Sequence, residues 1–229
     1  YNGDDKDIVI PNGVKKIVAL KPLKTFSDMS MQDIEIESVK IPDSVTEIGE
    51  NTFVSCSGLK EIQIPKNVKS IGAGAFSFIS FDHASLTQIN VDSENNNFSS
   101  INGILFNNDK TRILCYPCGR QEKTYTIPEG VTEIGDSAFE YCDALQSVTM
   151  PIGVTVIGND AFSNCSAITM VSLPESITSI GDNAFDGCGA LTDINLPLNI
   201  KNIGEKAFNG CQLKTATLSS SLTSLGEGA

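Results

Sequence analysis

The sequence predicts an α/β repeat solenoid: a right-handed superhelix with a parallel concave sheet, short helical or 3-10 turns and one inserted β-hairpin. Three observations predict it. Prolines at 42 and 65, and again at 128, 151, 174 and 197, recur at one constant interval. Glycines at 49 and 72, then 135, 158, 181 and 204, keep that interval, as do phenylalanines at 53 and 76, then 139, 162, 185 and 208. Cys56, Cys142, Cys165, Cys188 and Cys211 each follow a column phenylalanine at the same short distance. Self-similarity at one fixed period, here about 23 residues, marks a repeat architecture.

Each column has a physical reading. Val148 and Met150 alternate with Ser147 and Thr149, the period of a strand with one buried face. Pro151 cannot donate a ladder hydrogen bond and ends that strand. Val154 to Ile157 carries apolar side chains to an opposite wall, and Gly158 supplies a turn that a Cβ would strain. Phe162, Cys165 and Ile168 are three apart, which suits one face of a helical or 3-10 turn. One unit cannot bury its own apolar face; stacked units can, with adjacent coils roughly 4.8 Å apart.

These residues carry a resemblance. Leu145-x-x-Val148-x-Met150-Pro151, then Val154-Thr-Val-Ile157-Gly158, Ala161-Phe162 and Cys165 resemble the BspA-like subclass of leucine-rich repeats. The run Asn97 to Thr111, then Tyr116-Pro117 and Tyr125-Thr-Ile-Pro128, is similar to the hairpin-bearing repeat of that family, and together the matches span roughly residues 36 to 229. The resemblance implies an extracellular or cell-surface protein of a host-associated microbe. It also implies a non-enzymatic, adhesin-like interaction module whose partner is a protein or glycan, such as a host matrix protein. A structural spacer in a larger surface protein is the alternative.

The register breaks in three places. Residues 1–35 read as a degenerate N-terminal coil or cap, since the interval from Pro11 to Pro42 exceeds one repeat and the excess lies around Lys21 to Gln32. Residues 36–229 form the solenoid, with a long repeat at 92–127, and the whole is one domain. The interval from Leu59 to Leu86 is also longer than one repeat, placing an insertion near Ser80 to His83. That from Gln88 to Thr124 is longer still. Its excess holds Gly103 to Phe106, a polar turn at Asn107 to Lys110, and Thr111 to Leu114, which reads as a hairpin. At the end, Leu225-Gly226 is followed only by Glu227, Gly228 and Ala229, so the last repeat reads as truncated.

The formal charge of −12, with 16 basic and 28 acidic residues, opposes nucleic acid and anionic membranes as partners. No apolar run is long enough for a membrane span. The chain begins at Tyr1, so a signal peptide is expected to be removed or to lie outside it. The chain is expected to be a monomer in isolation. One histidine, His83, excludes a multi-histidine zinc site, and no nucleophile elbow or phosphate-binding glycine pattern occurs, so no catalytic residue, metal or cofactor is expected.

The column cysteines, beside phenylalanine, read as buried free thiols. Cys115-Tyr-Pro-Cys118 leaves three readings open: structural thiols, a local disulfide, or a redox pair lacking its usual βαβ context. Asp92 to Asn97 reads as a solvated turn. The outward columns Ser38, Glu61, Gln88, Thr124, Ser147, Met170, Asp193, Thr215 and Lys40, Gln63, Asn90, Thr126, Thr149, Ser172, Asn195, Thr217 are mostly small and polar, without aromatic anchors. Partner-binding residues are therefore expected in the irregular region, where Phe78, Phe81, His83, Phe106 and Tyr116 collect. The competing reading is that the aromatics glue the hairpin down.

Overall fold

The computed structural model describes residues 6–18, 20, 36–54, 56, 58–77 and 85–229. Within these, the constant interval of the sequence becomes a coil-on-coil register. Thr124, Ser147 and Met170 face one another along the strands Thr124–Thr126, Ser147–Thr149 and Met170–Ser172, which pair in parallel. Glu61–Ile64 pairs likewise with Gln88–Val91, and Ser38–Lys40 with Asp7–Val9. The outward columns read from the sequence are therefore in register within each of these three separate ladders but not from one to the next, and their ends at Asp193 to Asn195 and Thr215 to Thr217 form no strand; Val148, Ile62 and Ile89 point inward and are buried.

A second wall of short strands runs along the repeat isoleucines. Ile134 pairs with Ile157, Ile157 with Ile180 and Ile180 with Ile203, and this sheet continues to Ser224–Leu225. The coils Lys16–Ile17, Glu47–Ile48 and Ser70–Ile71 form a separate ladder of the same kind. Gly158 lies at the corner for a different reason from the one expected. Its φ is not positive; instead a Cβ there would fall 2.7 Å from the amide nitrogen of Asp136, so only glycine lets the coils approach. The side chain after each glycine serves the next coil: Asp136 Oδ1 accepts the Asn159 amide at 2.8 Å, and Asn159 Oδ1 accepts the Asp182 amide at 2.9 Å.

The expected helical turns are absent, and with them the α component of the fold class. No helix occurs among the described residues. Asp160 and Asn164 have φ of 53° and 58°, and Ser137, Tyr141 and Asn183 are left-handed too. Left-handed residues four apart cannot belong to one right-handed helix. They turn alternate amides toward the following coil instead: Asp160, Phe162 and Asn164 donate to the carbonyls of Asp182, Ala184 and Asp186 at 2.8, 2.7 and 2.7 Å. The segment is a third hydrogen-bonded wall. Asn164, which also begins an Asn-x-Ser pattern, is there explained as a residue that tolerates the left-handed backbone.

The phenylalanines stack inside this wall. Phe139, Phe162 and Phe185 are fully buried, with ring centroids 4.8 Å apart for Phe139 and Phe162 and 5.1 Å for Phe162 and Phe185. Buried apolar residues from Ile8 to Ala207 make one core cluster. Phe162→Ala is expected to destabilise the chain by about 3–5 kcal/mol, as a large-to-small core change. Thr149→Ala, on the exposed face of the first wall, should stay within about 1 kcal/mol. Denaturant melts giving comparable costs would contradict the inward and outward assignment.

Candidate functional site at the hairpin junction

The irregular region contains three strands where the sequence suggests two. Phe98–Ile101 pairs antiparallel with Ile104–Asn107, which pairs antiparallel with Arg112–Cys115. The expected polar turn after Asn107 is present. The tighter turn is Asn102-Gly103, with φ of 51° and 77°, the two-residue geometry that suits a hairpin. Its Gly103 carbonyl accepts the Ile89 amide at 2.8 Å, docking the hairpin tip on the first wall. Arg112–Cys115 also pairs in parallel with Glu133–Ile134, so the hairpin grows out of the second wall's own ladder.

Asn95 launches the hairpin. The segment Asp92 to Asn97, read as a solvated turn, holds an asparagine that is only 6% exposed. Its Nδ2 donates to the carbonyls of Pro65 at 2.8 Å and Val68 at 3.1 Å, and its Oδ1 accepts the amides of Asn97 at 2.8 Å and Phe98 at 3.0 Å. This one side chain plugs the turn of the preceding coil and fixes the direction of the next strand.

Of the five expected partner-binding residues, Phe106 is fully buried and Tyr116 is 3% exposed. Neither can present its ring to a partner; the competing packing reading describes them. Tyr116 occupies the phenylalanine column, stacked on Phe139 at 5.1 Å with Tyr125 tilted against both. Burial pushes the phenols of Tyr116 and Tyr125 up to about 12. Phe78, Phe81 and His83 lie outside the described residues, as do the excess at 21–32 and the insertion at 80–83.

Sequence reasoning missed Arg120. Its guanidinium lies 5.5 Å from the Tyr116 ring centroid, donates to the carbonyls of Asn102 at 2.8 Å and Thr87 at 3.3 Å, and pairs with Glu122 at 2.8 Å. It ties the loop leaving the hairpin to the edge of the first wall. The fork geometry of arginine suits this double carbonyl contact.

Among the described residues, two openings interrupt the stack. Ile113 is in register with Ile134 and Tyr116 stacks on Phe139, yet Tyr116 follows its isoleucine more closely than Phe139 follows Ile134. The corner of the hairpin coil is thus shortened, and a cavity of about 290 Å³ opens between it and the coil at Gly72 to Ser77. Arg112, Asp136 and Glu50 line it with Leu105 and Leu114. Burial raises the Glu140 carboxyl above the ordinary range, and the hydroxyls of Ser137 and of Ser77 in that earlier coil offset part of the rise. The second opening, about 570 Å³, lies on the first wall where Ser38–Lys40 and Glu61–Ile64 do not pair, and Ser38, Gln63, Thr87 and Asn90 line it. Among the described residues no group of three or more His, Cys, Asp or Glu is placed to hold a metal ion, and no helix is long and apolar enough to cross a membrane. None of the seven cysteines forms a disulfide, and Cys115 and Cys118 are both buried. Cys211, expected to be buried like its column neighbours, is half-buried.

The sequence pattern of the BspA type leucine rich repeat region is matched in six copies, over residues 6–113 and 114–229. The chain belongs to that family. As a BspA-type repeat protein it is similar to a solved leucine rich cell surface protein of Faecalibacterium prausnitzii, with 32% identity over 95% of this chain and 54% of that one, and a TM-score of 0.78. It is also similar to the pneumococcal vaccine antigen PcpA, with 26% identity over 96% of this chain and 54% of that one, and a TM-score of 0.80. The chain thus spans about half the length of these solved relatives. No curated protein matches it.

Asn95→Ala is expected to destabilise by on the order of 2 kcal/mol, because the amides of Asn97 and Phe98 lose their acceptor and the carbonyls of Pro65 and Val68 each lose a donor. Asn96→Ala, at an exposed neighbour, should change stability by less than about 0.5 kcal/mol. Equal denaturation midpoints for the two variants would contradict the role given to Asn95.

Proposed function

We propose that this chain is a non-enzymatic protein-interaction module of an extracellular or cell-surface protein, adhesin-like in its use. The observation that carries the reading is similarity along nearly the whole solenoid to a leucine rich cell surface protein. In this reading the partner is a protein or glycan, a host matrix protein being the first to test. Binding centres on the irregular region at 77–85 and 92–120. Phe78, Phe81 and His83 are the contact residues, while Phe106 and Tyr116 act by holding the hairpin in place. Rigid scaffolds commonly carry recognition on such interruptions.

A structural spacer is the second reading. The observation favouring it is the exposed first wall, whose outward side chains are mostly small and polar, with Val9 and Met170 as exposed apolar exceptions. Such a face lacks the aromatic and arginine anchors of a strong interface.

A solid-phase screen of immobilised matrix proteins and glycans separates these readings. The expected result is saturable binding that Phe78→Ser/Phe81→Ser/His83→Ala lowers at least tenfold and Thr126→Arg/Thr149→Arg leaves unchanged. The reverse pattern would move the site to the first wall. A screen without any binder would favour the spacer.

A further inference from the structure

The cysteine column ends in a thiol that differs from the others. Cys142, Cys165 and Cys188 are buried, whereas Cys211 is half-buried. Each thiol leans one coil back and donates to the carbonyl of that coil's aromatic residue. Cys165 reaches Phe139 O at 3.0 Å, Cys188 reaches Phe162 O at 3.1 Å and Cys211 reaches Phe185 O at 3.2 Å. The Phe185 carbonyl also accepts the amide of Cys188 at 3.2 Å. The sulfur of Cys211 is therefore set over the backbone of Cys188, with the Cys188 thiol as its neighbour in the column.

That contact divides the pair. It holds the Cys211 thiol below the ordinary range and, with burial, pushes Cys188 up. The thiolate is the nucleophile in oxidation chemistry, so the exposed member is also the reactive one. Coils stacked at about 4.8 Å fall inside the Cα separation of about 4.4–6.8 Å that disulfides span. Parallel Cβ atoms must still close by roughly 1 Å to reach the usual disulfide separation. The coil of Cys211 is tied to its predecessor on the second and third walls only, since no strand of the first wall follows Met170–Ser172 among the described residues. Earlier pairs in the column are clamped on all three walls and shielded from oxidant.

We propose that Cys211 is a surface oxidation site and Cys188 its resolving partner, so that a peroxide converts the pair into a disulfide latching one coil to the next. The Cys211 thiolate attacks one peroxide oxygen, expels hydroxide and becomes a sulfenic acid. The Cys188 sulfur then attacks the Cys211 sulfur; its proton joins the departing hydroxyl, which leaves as water. The two cysteines lose two electrons and the peroxide gains them.

The test treats the reduced full chain with hydrogen peroxide, with and without dimedone, and reads intact mass and peptide maps. The expected product is a chain lighter by two hydrogens whose cross-linked peptides contain Cys188 and Cys211. Cys188→Ser cannot close the bond and should accumulate a dimedone adduct at Cys211. Cys211→Ser should give neither product. Should Cys188→Ser not fold, the time course of the parent chain replaces it: adduct at Cys211 first, cross-link after. The proposal is overturned if native Cys211 resists peroxide doses that modify it in denaturant. It is also overturned if the bridge joins other cysteines, or if the folded Cys188→Ser variant behaves as the parent.

Discussion

The amide-to-carbonyl hydrogen bond between successive coils at the phenylalanine corner is the constraint on which the rest of this solenoid depends. Phe139 donates to Ala161 at 2.7 Å, Phe162 to Ala184 at 2.7 Å and Phe185 to Ala207 at 2.8 Å. A corner bonded within itself would leave each coil tied to its neighbour on two walls and free to splay on the third. Bonded outward, the corner sets the coil spacing from every side. That spacing is also the distance at which flat aromatic rings stack and at which a cysteine can reach the preceding coil's carbonyl. Left-handed residues at 160 and 164, glycine at 158 and phenylalanine at 162 thus serve one geometric requirement.

The hairpin is intelligible in the same terms. It does not sit on the solenoid as an added layer; its last strand is a ladder strand of the second wall, and Tyr116 is a rung of the aromatic stack. The cost of threading an excursion through the array falls on the shortened corner. Where acceptors of the usual corner are missing a cavity opens, lined by Glu50, Arg112 and Asp136. Asn95 and Arg120 close the two ends of the excursion with side-chain hydrogen bonds to backbone carbonyls. Buried polar groups need such partners, and a single well-placed amide or guanidinium supplies several.

Much of this is legible in the sequence. The columns fix strand positions and register, because period-2 burial and a constant interval leave no freedom: Ser147 has to face Met170. The corners mislead, because Phe162, Cys165 and Ile168 at three-residue spacing imitate a helical face. The contrary signal is present in Asp160, Asn164, Asn183 and Gly187, residue types that tolerate left-handed backbone. Tyr116 reads as a surface anchor by its type, although it stands one full repeat before Phe139. The Asn102-Gly103 turn is overshadowed by the longer polar turn after it. Asn95 looks like one more polar loop residue, since its burial depends on a contact with Pro65 and Val68 that no local pattern reveals. The candidate site is the least legible part, because what a buried aromatic contributes to recognition is decided by packing and not by type.

The outward bonding of the corner is open to direct measurement by through-hydrogen-bond scalar coupling in the isotope-labelled chain. The account predicts a coupling between the Phe162 amide nitrogen and the Ala184 carbonyl carbon, with matching pairs at Phe139–Ala161 and Phe185–Ala207. A coupling from the Phe162 nitrogen to the Gly158 carbonyl instead would mean a helical corner, and would contradict the three-walled solenoid described here.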